Sequence, residues 1–450
     1  MQPLLDTISQ ALTLNPATLR WQGVGSLPST YAVSELAAAS IGAAGLALAR
    51  LLEQQTDNYC PLVRVDRRLA SFWFATSLRP RGWQPPGLWD AIAGDYACGD
   101  GWIRLHTNAP HHRAAVERVL GSCANRNEVA SKVASWSADQ LESALVAAGG
   151  CAARMRSWLD WCAHPQGQAV NAQPLILRET FASDTPLKWR GTTQRPLAGI
   201  KVLDLTRILA GPIATRLLAG FGAQVLRIDP PGWEEPAVVA EVTLGKRCAR
   251  LDLRDRADRL VFERLLGDAD ILVHGYRADA LERLGLGHER RRQLNPGLID
   301  VSLNAYGWSG PWKERRGFDS LVQMSTGIAR EGMRWQQANQ PVPLPVQALD
   351  HATGYLMAAE AIRALGDRLQ TAAGSRARLS LARTAKLLVE HGTVGDDLPL
   401  AAQTVDDLDR HLEQTPWGLA QRLKGPLAVG DAVLRWDIGA CELGSAAPHW

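Results

Sequence analysis

The feature that most constrains the fold is an alternation of apolar runs and helical patterns between residues 200 and 307. The run IKVLDLT is followed by the loop AGP, the helical pattern IATRLLAGFGA and a second apolar run, QVLRIDPPG. RLVFERLLGDADILVHGY and RRQLNPGLIDVSLNAYG then repeat the order helix, strand. Such alternation is typical of parallel βαβ units. We therefore predict an α/β protein with a Rossmann-like doubly wound parallel sheet and a smaller α+β domain.

The length of the chain indicates more than one domain. Its 450 residues exceed what a single hydrophobic core usually supports. A polar stretch without strand character, RETFASDTPLKWRGTTQRP, precedes the alternating region and marks the best boundary. We expect an N-terminal half at 1–190, a Rossmann-like domain at 191–375 and a C-terminal α+β segment at 376–450.

Composition and charge are those of a soluble globular protein, with 46% hydrophobic and 21% charged residues. The net charge of +3 is too small to indicate a nucleic-acid partner, and the basic cluster HERRRQ lies among ordinary polar residues. A second cluster, KERRG, follows a strand and stays open as a phosphate contact. The stretch 36–52 is rich in Ala and Gly and contains Arg50, so we expect a buried helix and no membrane partner.

The cysteines and histidines give little sign of a metal site. Seven scattered cysteines form no C-x-x-C pair, and the N-terminus lacks the pattern of a signal peptide. This predicts reduced thiols and a cytoplasmic protein. His111 and His112 resemble a metal pair only superficially, because no acidic or cysteine partner stands at helical spacing. We expect no metal.

One carboxylate, Asp350, stands at the start of the almost entirely apolar helical stretch 346–365. It could be a helix cap, because Asp commonly accepts the first N–H groups of a helix. It could also be a covalent nucleophile, because Gly354 lies one turn further on the same face and small neighbours would let a ligand approach. His351 points about 100° away and is not expected to orient it. The residues alone leave both interpretations open.

The loop TRILAGP (206–212) leaves the first strand and opens a helix, whose N-terminus favours an anionic group. The loop is not G-x-G-x-x-G, so a nicotinamide cofactor loses its main support, although Asp229 ends the second strand where a ribose contact could lie. Basic residues near the ends of sheet segments could together hold a polyphosphate, although each alone is typical of a solvated surface. They are Lys246, Arg247, Arg283 and Arg316.

Five ordered segments of this region closely resemble the class III CoA-transferases, the CaiB/BaiF family. They begin PLAGIKVLDL (196–232), LGKRCARLDL (244–253), ADILVHGYRA (269–287), NPGLIDVSLN (295–312) and GFDSLVQMST (317–328). In that family the nucleophilic aspartate begins the small-residue helix after these motifs, so the resemblance implies that Asp350 is catalytic. It also implies coenzyme A, bound as an acyl-CoA substrate, and assigns CoA binding to the domain at 191–375.

The resemblance further implies which residues line the CoA site: Leu209, Ala210, Gly211, Lys246, Tyr276, Arg277, Arg283, Arg316, Gly317, Phe318 and Asp319. Three positions depart from relatives within the superfamily. Leu209 and Pro230 stand where formyl-CoA transferases carry Gln and Arg, so a formyl or oxalyl substrate is not expected. Phe318 stands where racemases carry a proton-transferring His, so racemisation is disfavoured.

The N-terminal half resembles rearranged parts of the same family. Residues 97–165 resemble the small domain that normally follows the catalytic half. Residues 33–52 look like a second copy of the Asp350 helix, with Glu35 in the position of Asp350. Whether Glu35 is reactive stays open, and we favour its interpretation as a structural remnant. Because the family forms interlocked dimers, we expect a homodimer or a pseudo-dimer within one chain.

The resemblance implies an acyl-CoA:carboxylate CoA-transferase that works through a covalent aspartyl-CoA thioester. Its substrates would be an acyl-CoA and a small carboxylic acid. An acyl-CoA epimerase or isomerase of the same superfamily stays open as an alternative, and so does a non-catalytic CoA-binding protein, because fold alone does not decide function.

Overall fold

The computed structural model describes residues 2–57, 59–393 and 397–450. Its centre is a seven-stranded sheet in which six neighbouring strands are parallel and the last edge strand is antiparallel. Across the sheet the strands are Lys246–Arg250, Gln224–Asp229, Lys201–Leu205, Ile271–His274, Ile299–Asn304, Gly374–Ser380 and Leu177–Phe181. The six parallel strands follow the 3-2-1-4-5-6 order of a doubly wound Rossmann sheet. The predicted fold class is confirmed.

Helices cover both faces of this sheet, which explains why its strands read as continuous apolar runs. Within strand Lys201–Leu205, Val202 and Leu203 point into different hydrophobic cores on opposite faces. All six residues of strand Ile299–Asn304 are buried. The sheet-connecting helices are Ala210–Gly220, Val239–Val242, Arg256–Gly267, Ala280–Arg283, His288–Leu294, Asp319–Ser325, Ile328–Trp335 and Ala348–Thr371.

The order of the strands creates a crevice that can hold a ligand. Strands Lys201–Leu205 and Ile271–His274 are neighbours, but the chain leaves their carboxyl ends in opposite directions along the sheet. Ligands of open α/β sheets bind at such a reversal point. The loop that begins at Thr206 and the loop that begins at Gly275 therefore form opposite sides of one opening.

The N-terminal segment packs against the Rossmann-like half of the chain through one long helix, Val33–Gln55. This helix is long and apolar enough to span a membrane, but 89% of its most apolar window is buried inside the protein. It packs against helix Ala348–Thr371, as expected for a buried helix. The other elements here are helices Gln2–Leu12 and Arg67–Trp73 and the three-stranded sheet Leu19–Gln22, Val63–Asp66 and Leu427–Val429.

A smaller α+β unit follows, with its own hydrophobic core. It contains strands Gly94–Cys98, Gly101–Leu105 and Ala152–Arg154 and helices Pro110–Leu120, Arg126–Val133 and Ala138–Ala147. Helices Trp158–Ala163 and Pro165–Asn171 lead back to the main sheet. The smaller α+β domain in the predicted fold class is this unit.

Elements of the C-terminal part pair with elements from the N-terminal half of the chain. Helix Leu381–His391 directly follows the sixth parallel strand. Strands Leu408–Thr415 and Gly418–Leu423 form a sheet with Leu78–Pro80 from the N-terminal half. The expected division at 190/191 and 375/376 stays a prediction. The main sheet takes a strand from before residue 191, and its strand Gly374–Ser380 crosses the second boundary.

Candidate active site

A cavity of about 340 Å³ opens at the carboxyl ends of the central strands. The loops after strands Lys201–Leu205, Ile271–His274 and Ile299–Asn304 line it, together with the start of helix Ala348–Thr371 and the start of helix Pro110–Leu120. Its size is that of a small-molecule site. The smaller α+β unit thus closes one side of a crevice that the Rossmann-like sheet creates.

Asp350 lies in the wall of this cavity with 7% of its surface exposed. It is the third residue of helix Ala348–Thr371, where the dipole of the helix favours negative charge. Its side chain accepts no hydrogen bond from any residue in the described ranges. Asp350 is therefore not the cap of its helix, and its carboxylate is left available to a ligand.

The cap comes instead from Asp319, at the start of helix Asp319–Ser325. Its Oδ2 accepts hydrogen bonds from the backbone N–H groups of Leu349, at 2.8 Å, and Asp350, at 3.0 Å. Gln323 donates to its other carboxyl oxygen and accepts from the N–H of Leu344 at 2.7 Å. This chain of hydrogen bonds fixes the start of the Asp350 helix.

The carboxyl groups of Asp319 and Asp350 both have raised pKa values. Burial raises the pKa of Asp350 well above its usual value, and the charge of Asp319 raises it further. Burial also raises the pKa of Asp319, to about 6, although the hydrogen bonds that it accepts from backbone N–H groups lower this pKa. Two like charges in a low-dielectric site disfavour double ionisation. Both carboxyl groups therefore have a pKa above the usual range of an aspartate, as is common at functional sites.

Gly354 has a packing role rather than the ligand-access role that the sequence suggested. A Cβ built on Gly354 would lie 2.3 Å from the carbonyl oxygen of Ala210. The glycine therefore lets helix Ala348–Thr371 approach helix Ala210–Gly220 closely. The expectation that Gly354 opens the site to a large ligand is wrong, because the first turn of the neighbouring helix occupies that space.

The loop before Ala210 is held in an unusual backbone conformation. Ile208 has φ +66°, a left-handed value that is costly for a β-branched residue. Its N–H donates to the carboxylate of Glu235 at 2.8 Å, and Trp233 Nε1 donates to the same oxygen at 3.1 Å. The loop is thereby fixed beside the cavity.

A cationic and aromatic cluster forms the opposite side of the opening. The Arg207 guanidinium lies 4.5 Å from the Trp233 ring centroid and 4.9 Å from that of Tyr276, and it donates to the Tyr276 hydroxyl at 3.0 Å. Arg277 and Arg316 also line the cavity, and Arg316 Nη1 donates to the carbonyl of Gly149 at 3.0 Å. Planar cations with several N–H donors suit phosphate groups.

Most of the residues predicted for the site come together in this cavity. Those that line it with Asp350 are Leu209, Ala210, Gly211, Tyr276, Arg277, Arg316, Gly317 and Phe318. Phe318 stacks flat on His106 at 3.7 Å between ring centroids. His351 points away and stacks on Phe74 instead, as the helix geometry predicted.

Three predicted ligand contacts lie elsewhere. Lys246 is fully buried, and its Nζ contacts a carboxyl oxygen of Asp204 and the carbonyl of Pro212, each at 3.0 Å. Arg283 is exposed and pairs with Asp279 at 2.6 Å, outside the cavity lining. Asp229 pairs with Arg227 at 2.8 Å inside the sheet. Lys246 and Arg283 therefore do not line the cavity that contains Asp350, and their contact with CoA stays a prediction.

Sequence reasoning missed several residues that line the cavity, among them Arg207, Trp233, His111 and His112. Arg207 lies in the TRILAGP loop, so the loop argument could have included it. Trp233 follows the second strand in the PPGW turn. The two histidines were considered only as a metal pair, because nothing local shows that the smaller unit closes over the sheet.

Comparison with known proteins matches almost half of the chain to one family. Residues 197–417 match the model of CoA-transferase family III. The acetyl-coenzyme A transferase nodX of Hypoxylon pulicicidum is 34% identical over 217 residues, which cover 46% of this chain and 37% of that protein. The succinyl-CoA:glutarate CoA-transferase of Mus musculus is 30% identical over 205 residues, which cover 41% of this chain and 47% of that protein.

A solved structure shares part of this region. The crystal structure of Rv3272 from M. tuberculosis in its orthorhombic form is 29% identical, with a TM-score of 0.40, and the match covers 44% of this chain and 57% of that chain. The chain spans about half the length, or less, of the curated relatives that it matches.

Proposed function

From residues 197–417, which belong to CoA-transferase family III, we propose that this protein transfers coenzyme A from an acyl-CoA to a free carboxylic acid. The substrates are then an acyl-CoA and a small carboxylate. The observation that carries the proposal is the position of Asp350, a carboxylate without a protein hydrogen-bond partner in the described residues, in the wall of a cavity that arginines flank.

In the first half of the reaction, an Asp350 oxygen attacks the thioester carbonyl carbon of the donor. The carbon–sulfur bond breaks, which gives a mixed anhydride on Asp350 and a CoA thiolate. The thiolate then attacks the Asp350 carbonyl carbon of the anhydride. The donor acid leaves as its carboxylate, and an aspartyl-CoA thioester remains.

In the second half, the acceptor carboxylate repeats these steps in reverse. It attacks the aspartyl thioester, forms a new mixed anhydride and releases the CoA thiolate. The thiolate attacks the acyl carbonyl that came from the acceptor, which gives the new acyl-CoA and frees Asp350. The thioester bond is conserved overall, so the scheme needs no nucleotide hydrolysis.

The chain's own groups suit this scheme in three ways. The Asp319 cap and the Ala210 contact hold the start of the Asp350 helix, which keeps the nucleophile in one position. The dipole at the start of the helix and the nearby arginines favour the negative charge that develops on the attacked oxygen. Enclosure by the smaller α+β unit limits water, which would otherwise hydrolyse the aspartyl thioester.

Arg207, Arg277 and Arg316 are the proposed contacts for the phosphate groups of CoA. Arg207 stacks between Trp233 and Tyr276, so its guanidinium is oriented before a ligand arrives. An oriented cation loses less conformational freedom on binding. The two aromatic rings also offer surfaces for a planar base.

Intact-protein mass spectrometry tests the covalent step. The purified protein is incubated with a panel of acyl-CoAs, the adduct is trapped with hydroxylamine or borohydride, and peptides are mapped. We expect a modification on Asp350 and none in Asp350→Asn, which should still bind CoA. An unmodified protein across the panel, with CoA binding retained, would reject the covalent mechanism.

The two alternatives make different predictions in the same samples. An epimerase or isomerase would exchange the α-proton of the acyl group with deuterium from solvent. Phe318, which stacks on His106, offers no proton-transferring group at the position where the racemases carry His. A non-catalytic CoA-binding protein would bind CoA, form no adduct and exchange no label between acyl-CoA and free acid.

We further propose that the protein works in the reducing cytoplasm, since all seven cysteines are free thiols in the structure. Reduced thiols are compatible with that setting. The proposal concerns compartment only, and fractionation of the native cell with an antibody against the protein would test it.

A further inference from the structure

Glu235 is a buried carboxylate that the transfer scheme does not use. It lies in the turn after strand Gln224–Asp229 and does not line the cavity, and only 5% of its surface is exposed. Its Oε2 accepts hydrogen bonds from the backbone N–H of Ile208 at 2.8 Å and from Trp233 Nε1 at 3.1 Å. Both donors belong to residues that do line the cavity. One carboxyl oxygen therefore joins two separate parts of the cavity wall.

These two parts of the wall hold Arg207 between them. Ile208 follows Arg207 in the chain, and the guanidinium carbon of Arg207 lies 4.5 Å from the centroid of the Trp233 ring. On its other side, Arg207 Nη2 donates to the hydroxyl of Tyr276 at 3.0 Å. Within the described part of the chain, Arg207 Nη1 donates to no acceptor. The N–H groups of Nη1 are therefore left for a ligand.

The backbone at Ile208 needs a partner to keep its conformation. Its φ of +66° is unfavourable for a β-branched residue and persists only where the surrounding structure holds it. The hydrogen bond to Glu235 is a contact of this kind. Without an acceptor for the Ile208 N–H, the loop can relax to an ordinary backbone conformation, and the direction of the Arg207 side chain changes with it.

Glu235 is itself held by the central sheet. Its Oε1 lies 2.6 Å from Nη2 of Arg227, a fully buried residue of strand Gln224–Asp229. Arg227 also makes two hydrogen bonds to Asp229, at 2.8 and 3.0 Å. Because Asp229 alone can neutralise Arg227, a neutral side chain at position 235 leaves no buried ion without a partner. Variants of Glu235 can therefore be tested in a folded protein.

Resting on the proposed transferase function, we propose that Glu235 is a positioning residue for coenzyme A. It holds the Ile208 backbone and the Trp233 ring so that Arg207 meets a phosphate group of CoA. Glu235 contacts neither the ligand nor Asp350. Its effect is to order Arg207 when the protein folds, so that less conformational freedom is lost when CoA binds.

Two variants that differ in a single property test this role. Glu235→Gln and Glu235→Met both remove the charge and keep a side chain of similar length, but only Gln offers an oxygen to Ile208 and Trp233. Calorimetry measures the Kd of CoA for each. We expect Glu235→Met to bind CoA about tenfold more weakly than the parent protein, and Glu235→Gln to stay within about threefold.

Denaturant unfolding of the same two variants separates positioning from stability. In Glu235→Gln the amide nitrogen faces the Arg227 guanidinium, so both variants should be less stable than the parent protein, but only Glu235→Met should lose affinity for CoA. If Glu235 had only a structural role, affinity would follow stability in both. Equal CoA binding by the two variants would overturn the proposal, and so would parental affinity in Glu235→Met.

A substrate without phosphate groups shows where the effect acts. Acyl-pantetheine carries the thioester but not the nucleotide part of CoA. The kcat/KM of Glu235→Met should fall about tenfold with acyl-CoA, whereas with the corresponding acyl-pantetheine it should stay within about twofold of the parent value. Equal losses with both substrates would contradict the proposal. Failure of the transferase function would appear separately, as no turnover in the parent protein, and calorimetry with CoA would still test Glu235.

The dependence on Arg207 is tested by combining variants. If Glu235 acts through Arg207, then Glu235→Met should weaken CoA binding by less than about twofold when Arg207 is already replaced in Arg207→Met. The comparison uses the Kd of CoA in the parent protein, the two single variants and the double variant. A tenfold loss that is repeated in full in the Arg207→Met background would refute this route.

Discussion

At the scale of single residues, Asp319 and Asp350 divide between them the two roles that a carboxylate can have at a helix start. Asp319 accepts the N–H groups of Leu349 and Asp350, so it supplies the cap. Asp350 keeps a carboxylate with no hydrogen bond from the described residues and faces the cavity. Because the cap comes from another segment, the carboxylate of Asp350 is left available for the nucleophilic role that we propose.

This pairing has a consequence for the pH dependence of the reaction. The nucleophile must be ionised, and burial together with the charge of Asp319 raises the pKa of Asp350. Turnover should therefore increase with pH as Asp350 loses its proton. In Asp319→Asn the amide oxygen can still accept from the helix N–H groups, but the repelling charge is gone, so the pKa of Asp350 falls.

We expect the acidic limb of the kcat/KM profile to move to lower pH in Asp319→Asn. The profile is measured with one acyl-CoA and one acceptor over the stable pH range. Glu314→Gln, at an exposed carboxylate, is the matched control and should leave the limb in place. An unchanged limb in Asp319→Asn would show that Asp319 does not influence ionisation of the nucleophile.

At the scale of elements, the position of Asp350 depends on how closely two helices approach. Helix Ala348–Thr371 contacts helix Ala210–Gly220 through Gly354, where a Cβ would meet the Ala210 carbonyl oxygen at 2.3 Å. That oxygen belongs to the backbone and cannot rotate away. Any side chain at Gly354 must therefore move the two helices apart, and with them the nucleophile and the Leu209 loop.

Gly354→Ala should lower the free energy of unfolding by about 1–3 kcal/mol, the usual cost of an extra methyl group in a packed core, and should also lower turnover. Gly366→Ala in the same helix is the matched control. Its Cβ would meet Oε1 of Gln54, the far end of a flexible side chain, so stability should stay equal or increase slightly. Denaturant unfolding of both variants checks this, and equal losses would refute the argument.

The elements themselves were largely predictable from the sequence. The periodicity and length of the apolar runs in the region 200–307 predicted the parallel strands and their helices. The segment RARLSLARTAKLL predicted a strand followed by a helix, which are Gly374–Ser380 and Leu381–His391. These patterns are local, because each element buries a continuous or periodic set of apolar side chains. The antiparallel edge strand Leu177–Phe181 was not predicted, because its sequence has no clear strand pattern. It is a strand through its pairing with Gly374–Ser380, which lies far along the chain.

The site was predictable only in part, because some of its contacts join residues that are far apart in the sequence. Asp350 and the loops after the strands were found through motifs, whereas the Asp319 cap joins residues 31 positions apart and leaves no local pattern. Lys246 looked like a ligand contact, but the carboxylate that neutralises it, Asp204, lies on another strand. The charge of a lysine in a sequence does not show whether a partner is buried beside it.

At the scale of the whole molecule, the chain contains two similar arrangements of helix, strand and helix. Helix Val33–Gln55 has Glu35 as its third residue, just as helix Ala348–Thr371 has Asp350. The residue before each helix has almost the same backbone angles, φ −71° and ψ 59° in the first and φ −75° and ψ 64° in the second. In each, a strand then leads without a break into the next helix.

The two copies differ in what surrounds the acidic residue. Glu35 contacts His391 at 3.1 Å and Arg67 at 3.7 Å, so its charge is compensated within the protein. It does not line the cavity that contains Asp350. We therefore expect Glu35→Gln to form the aspartyl adduct and to turn over acyl-CoA at a rate close to that of the parent protein.

The two similar helices pack against each other inside one chain and are almost entirely buried there. The pseudo-dimer interpretation therefore predicts a monomer of 48.9 kDa at micromolar concentration. Light scattering coupled to size-exclusion chromatography measures this mass directly. A stable dimer of twice that mass would favour the homodimer instead, and would mean that the internal pairing of helices Val33–Gln55 and Ala348–Thr371 does not replace association between chains.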